Sequence, residues 1–157
     1  MKILLTVLAV AIIVTILFVS YQSFFKNGFQ IGTKTAKVTI DGTTFSAEIA
    51  STPQEKQIGL SKKTSLGDTE GMIFPFGSPD YYGFWMKDMT IPIDILYIRD
   101  NKIVTIFENV PNPTSKNEAI PVYHPTQPAD TVLELKSGAT EKYHIKQDDM
   151  VTIENLK

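Results

Sequence analysis

The stretch "GFWMKDMTIPIDILYI", residues 83–98, sets Lys87, Asp88 and Asp94 among large apolar side chains in a run that otherwise reads as core strand. An ammonium and a carboxylate held in apolar surroundings can fix a polar ligand, because water there competes poorly for them. Glu134 of "VLELKSG" and the flat rings of Trp85, Tyr81 and Tyr82 extend the set. The candidate ligand-binding residues are therefore Trp85, Lys87, Asp94, Glu134, Tyr81 and Tyr82. The two tyrosines stand beside Gly77, Pro79 and Gly83, where a turn would expose them to stack on a sugar ring or line a groove mouth.

A plainer arrangement accounts for the same residues. Asp94 can accept N–H groups from a neighbouring turn, while Lys87 runs its apolar stem past Trp85 and keeps its head in water. Glu134, with Leu133 and Leu135 on the opposite face of its strand, would then be solvated. The two arrangements differ in one observable. Either Lys87 and Asp94 meet in an open cleft, or backbone partners seal them.

Catalytic motifs are scarce. The chain has no cysteine, no Gly-x-Ser-x-Gly and no glycine-rich phosphate loop, which excludes thiol chemistry and two common nucleophile or nucleotide frameworks. His124 and His144 are isolated, so no metal site and no cofactor is expected. The scarcity of such motifs leaves a membrane-tethered binding or accessory module as the first reading. The alternative is a small hydrolase or lyase in which Asp94 or Glu134 acts as base and Lys87 stabilises negative charge.

Short strands must position these groups. "AKVTIDGTTFSAEIA" alternates about Asp41-Gly42 and predicts a hairpin, and Asp100-Asn101 predicts a second between "IDILYIR" and "KIVTIF". In "STPQEKQIGL", Thr52 can cap, Pro53 suits the first helical position and Glu55 completes a capping box, so a short helix should open there. "GMIFPF", "TVLELKSG" and "MVTIENL" read as further strands. Residues 111–130 carry five prolines and read as one long surface loop. The expected fold is mainly β (α+β with one or two short helices), a compact antiparallel barrel-like or sandwich domain.

Strand geometry then assigns faces. Alternation from Phe84 puts Phe84, Met86 and Asp88 on one side and Trp85, Lys87 and Met89 on the other. Pro92 cannot donate to a ladder, so the strand restarts at Ile93, and Asp94 shares its face with Leu96 and Ile98.

The N-terminus reads differently. Residues 3–19 hold no charge, glycine or proline, and the uncharged run continues to Phe25. That length suits a hydrocarbon core of about 30 Å, which takes about 20 helical residues. No small-residue pair fits a cleavage site before Ser20 or Ser23, and no cysteine offers a lipid anchor. A cleaved signal and a buried core helix are the competing readings. The expectation is a transmembrane signal anchor over residues 1–25, contacting the membrane through residues 3–25, a linker over 26–35 and an extracytoplasmic domain over 36–157. Without Lys2 and Lys26, the 15 bases fall to 13 against 17 acids. An acidic domain with no basic run is a poor partner for nucleic acid. The partners expected are the membrane and a cell-envelope ligand or protein.

Several blocks carry a resemblance: Gly59-Leu60, "GMIFPF" at 71–76, "FWMKDMTIPIDILYI" at 84–98 and "VLELKSG" at 132–138. Together they resemble the family called domain of unknown function 192 (uncharacterised protein family 0127). The resemblance implies a small secreted or membrane-anchored protein with no established activity. Such proteins commonly show Gly-Asp before the last strand, where this chain has Asp148-Asp149. Aspartate accepts positive φ better than most residues, so the turn is expected to persist at some cost.

Overall fold

The computed structural model describes residues 34–115 and 119–156. Residues 3–25, expected to cross a membrane, lie outside these, as does the linker up to residue 33. Among the described residues no helix is long and apolar enough to cross a membrane.

Strands β1 (Thr35–Ile40) and β2 (Thr43–Ile49) form the first hairpin. Its central residues, Asp41 at φ 45° and Gly42 at φ 78°, are both left-handed, which matches the twist of the flanking strands. Helix α1 (Pro53–Ile58) follows, opened by the expected capping box. The Thr52 side chain accepts from Glu55 N, and the Glu55 carboxylate accepts from Thr52 N at 2.8 Å. Beyond it come β3 (Glu70–Asp80), β4 (Phe84–Trp85), β5 (Ile93–Arg99), β6 (Lys102–Val110), β7 (Val122–Tyr123), β8 (Ala129–Lys136), helix α2 (Ala139–Lys142) and β9 (Val151–Glu154). The β5–β6 turn again uses two left-handed residues, Asp100 at φ 50° and Asn101 at φ 61°.

Seven strands make one sheet in the order β6-β5-β8-β3-β2-β1-β9. Two expectations are corrected here. The sheet is not wholly antiparallel, because β2 and β3 run parallel and the segment carrying α1 supplies the crossover such a pair requires. Nor are residues 111–130 a single loop. They hold β7, which pairs with β4 as a separate ribbon, and the first two residues of β8. Pairing partners distant in sequence decide both points.

The sheet curls into a half-barrel whose edge strands meet at one end. Lys102 bridges Met150, Ile103 N donates to Asp149 O at 3.1 Å, and Val151 N donates to Asn101 O at 2.8 Å. Asp148 takes φ 75° in the turn that permits this closure, a conformation that the glycine implied there by the resemblance would adopt more readily. Curling separates two cores. One draws on all seven strands, with Val38, Phe45, Ile73, Leu96, Ile103, Leu133 and Val151 among its members, and fills the concave side beneath α2. The other lies over β3, β5, β6 and β8 on the opposite face. There Phe74, Ile95, Tyr97 and Val132 are covered by Leu60, Leu66, Met86 and Met89 from the connecting segments.

Candidate functional site

Strand β8 lies between β3 and β5, so both of its faces are covered, and this changes the standing of Glu134. Leu133 and Leu135 face the concave core as expected, but Glu134 is not solvated on the other side. It is 5% exposed, paired in register with Met72 and Ile95. Burial pushes its carboxyl up to about 8. Its Oε2 has no hydrogen-bond partner among the described residues. A buried, unpartnered polar atom is costly and uncommon in a folded protein.

Glu134 lines a cavity of ≈ 400 Å³ on this face. Helix α1 and the turn after it contribute Lys56, Gly59 and Leu60, and the segment around β4 contributes Tyr82, Phe84, Trp85, Lys87 and Met89. Phe74 and Phe76 of β3 complete an aromatic wall. Phe76 stacks on Tyr82 with ring centroids 3.7 Å apart, and Phe84 meets Phe74 and Tyr97 edge to face at 5.0 Å and 5.9 Å. Interlocked rings of this kind resist collapse into the space they surround. The Tyr97 hydroxyl, 2.7 Å from Tyr123 O and 3.1 Å from Tyr82 O, fastens the β4–β7 ribbon to the sheet. Burial and then the Glu134 carboxylate hold Tyr97 in its protonated form. Gly83 is required where the ribbon closes, since a Cβ there would lie 2.7 Å from both His124 and Val122.

Two ammonium groups stand at this cavity. Lys56 donates to Pro75 O and sits 4.0 Å from the Phe76 ring centroid, and burial lowers its pKa. Lys87 is exposed, its Nζ 5.8 Å from the ring of Trp85, which is itself 51% exposed. Neither lysine belongs to an ion pair among the described residues.

Asp94 is elsewhere. It points to the concave side, fully buried, and accepts four hydrogen bonds: from Asn109 N (2.7 Å), Gly138 N (3.2 Å), Thr140 N (2.9 Å) and Thr140 Oγ1 (2.8 Å). Because Gly138, the cap position of α2, has no side chain, Asp94 takes over from a distant strand, accepting from the cap N–H and from Thr140 N in the first turn. Of the two arrangements read from the sequence, the plainer one holds here: backbone donors seal Asp94 on the concave side, Lys87 is exposed beside Trp85 on the other, and the two do not meet. The expected strand from Phe84 to Met89 is also shorter than its pattern suggested. β4 stops at Trp85, and Asp88 takes φ 59°. Met86 and Met89 are both buried as a result.

Of the six candidates, Trp85, Lys87, Glu134 and Tyr82 line the cavity. Tyr81 is 53% exposed but outside it, its carbonyl 3.1 Å from His124 Nδ1. Sequence reasoning passed over Lys56, Phe76 and Phe84. The capping box located the helix that carries Lys56, but no local signal says which strands that helix covers.

Chemically, a carboxyl that titrates near 8 is mostly neutral at pH 7 and offers one donor and one acceptor. Among the lining residues Glu134 is the sole carboxylate, so the cavity lacks the paired acid and base of many hydrolases. No cluster of three or more metal-ligating side chains occurs among the described residues.

Comparison with known proteins agrees with the fold. Residues 36–153 match the family model DUF192, described as Uncharacterized ACR. The structure is similar to that of a Sinorhizobium meliloti 1021 protein provisionally called a transcription regulator, with TM-score 0.66, 29% identity, and coverage of 76% of this chain and 93% of that one. It is also similar to a protein of unknown function from Novosphingobium aromaticivorans DSM 12444, with TM-score 0.65, 35% identity, and coverage of 74% and 83% respectively. No curated protein matches the sequence.

Proposed function

The chain belongs to the uncharacterised DUF192 family, and on that premise we propose a function from the cleft itself: a membrane-tethered, extracytoplasmic module that binds a small polar ligand of the cell envelope. One observation carries this reading. Glu134 is a buried carboxyl with an oxygen that has no partner among the described residues, set in an aromatic cavity large enough for a small molecule. A domain maintained for stability alone would fare better with an apolar side chain there. The uncharged run at residues 3–25 supports the tether. The lone carboxylate favours binding over the hydrolase or lyase alternative.

The test is a mass-spectrometric search for molecules retained by the purified full-length protein, run beside Glu134→Leu. The wild type should retain a small polar molecule and a folded Glu134→Leu should lose it. Equal retention by both would end the reading. A reporter fused after Lys157 tests the topology, and activity confined to the cytoplasm would overturn it.

A further inference from the structure

We infer that the ligand is an anionic sugar, with a neutral hydroxyl or carbonyl on Glu134, its acidic group at Lys87 and Lys56, and its ring against Trp85. This names the ligand class of the cleft just proposed and rests on that reading. Three features carry the inference.

The first is the charge balance of the cavity. An aromatic cavity with a carboxyl at its base could suit a cation, through ring faces and an ion pair. Two ammonium groups at the same cavity, neither of them in an ion pair among the described residues, oppose that. With Glu134 protonated, the charged side chains lining the site are Lys56 from α1 and Lys87 beyond β4. An anion is drawn to such a site and a cation repelled.

The second is the unpartnered Oε2. A carboxylic acid at this depth gains most from an uncharged group that accepts its proton or donates to its carbonyl, which a sugar hydroxyl does. The third is the exposed Trp85 ring, which lines the cavity and presents an apolar face to a pyranose ring. The volume of ≈ 400 Å³ admits one such ring with its substituent.

A carboxylate or a phosphate would serve equally at the lysines, so the test carries both. Trp85 is the sole tryptophan of the chain, and its fluorescence reports binding directly. The full-length protein is titrated with glucuronate, glucose 1-phosphate, glucose and glucosamine, at pH 6.5 and at pH 9. At pH 6.5 at least one of the two anions should bind about tenfold or more tighter than glucose, with glucosamine weakest. The anion preferred distinguishes a uronic acid from a sugar phosphate. Lys87→Met should cut the preference for anions over glucose several-fold, leaving what Lys56 contributes.

Glu134 makes the decisive contrast, because Gln imitates the neutral acid and cannot ionise. For wild type, anion binding should weaken as pH rises through about 8, when Glu134 becomes charged. The other titratable groups at this position are Lys56, Lys87, Tyr82 and Tyr97, and the same titration of Glu134→Gln shows what they contribute. Glu134→Gln should still prefer anions over glucose at pH 6.5, and its anion binding should lose the fall through about pH 8 that is specific to Glu134. Tighter binding of glucosamine, or loss of all binding in Glu134→Gln, would identify a cation site and overturn the inference. Should none of the four sugars bind while a retained molecule is still lost in Glu134→Leu, the sugar class is wrong and the binding reading stands.

Discussion

Replacing Glu134 with Gln should flatten the pH dependence of stability between about pH 5 and pH 8. The folded carboxyl titrates at about 8 and the unfolded one at the ordinary 4.5, so between those values the native state holds a proton that the unfolded chain has released. That contribution is fully present below 4.5 and is lost as the pH rises through about 8. A gap of that width, at about 1.4 kcal/mol for each pH unit, amounts to about 5 kcal/mol. Because the group is only 5% exposed, solvent screening takes little from this figure. Among the described residues the other displaced carboxyls, Glu55 and Asp68, are shifted downward: Thr52 and Ser51 hydrogen bonds act on the first, Lys136 and Lys142 on the second. Their contributions are lost at lower pH than this window. Urea unfolding of the full-length chain, followed through Trp85, should show the wild type losing several kcal/mol between the two pH values and the Gln variant losing far less. Parallel pH profiles would mean that Glu134 is ionised in the folded state, and the account of the cavity would fail with it.

Asp94→Ala should cost about 3 kcal/mol or more in chemical denaturation, since four donors lose a fully buried acceptor. A change under about 0.5 kcal/mol would show that water reaches them. Lys87→Met should alter stability by no more than about 0.5 kcal/mol, because the ammonium is exposed and its contact is a cation–π approach of 5.8 Å to Trp85. A larger loss by thermal denaturation would assign it a structural role. Asp148→Gly should stabilise by up to about 1 kcal/mol by relieving a positive φ, less what the exposed pair with Lys102 contributes. A lowered melting temperature would show that the ion pair outweighs the strain.

What the sequence determined by itself is local. Asp41-Gly42 and Asp100-Asn101 specify their turns because each supplies two residues that tolerate left-handed backbone. Thr52, Pro53 and Glu55 specify the start of α1 because all the capping partners lie within four residues of one another. The assignment of Asp94 to the same face as Leu96 and Ile98 followed from Pro92, since a residue without an N–H resets the strand. The resemblance in residues 59–138 anticipated the family. Tertiary structure decided what depended on coverage. Whether Glu134 is solvated depends on what lies over the second face of β8, and that cover comes from α1, the β4 ribbon and Met89, far away in the chain. In the same way Asp94 is sealed by donors from 109 and 138–140, and the capping box locates the helix between β2 and β3 without saying that those strands pair parallel. Periodicity tells which side of a strand a residue occupies, but the packing of distant segments sets the dielectric on that side, and with it the protonation of Glu134.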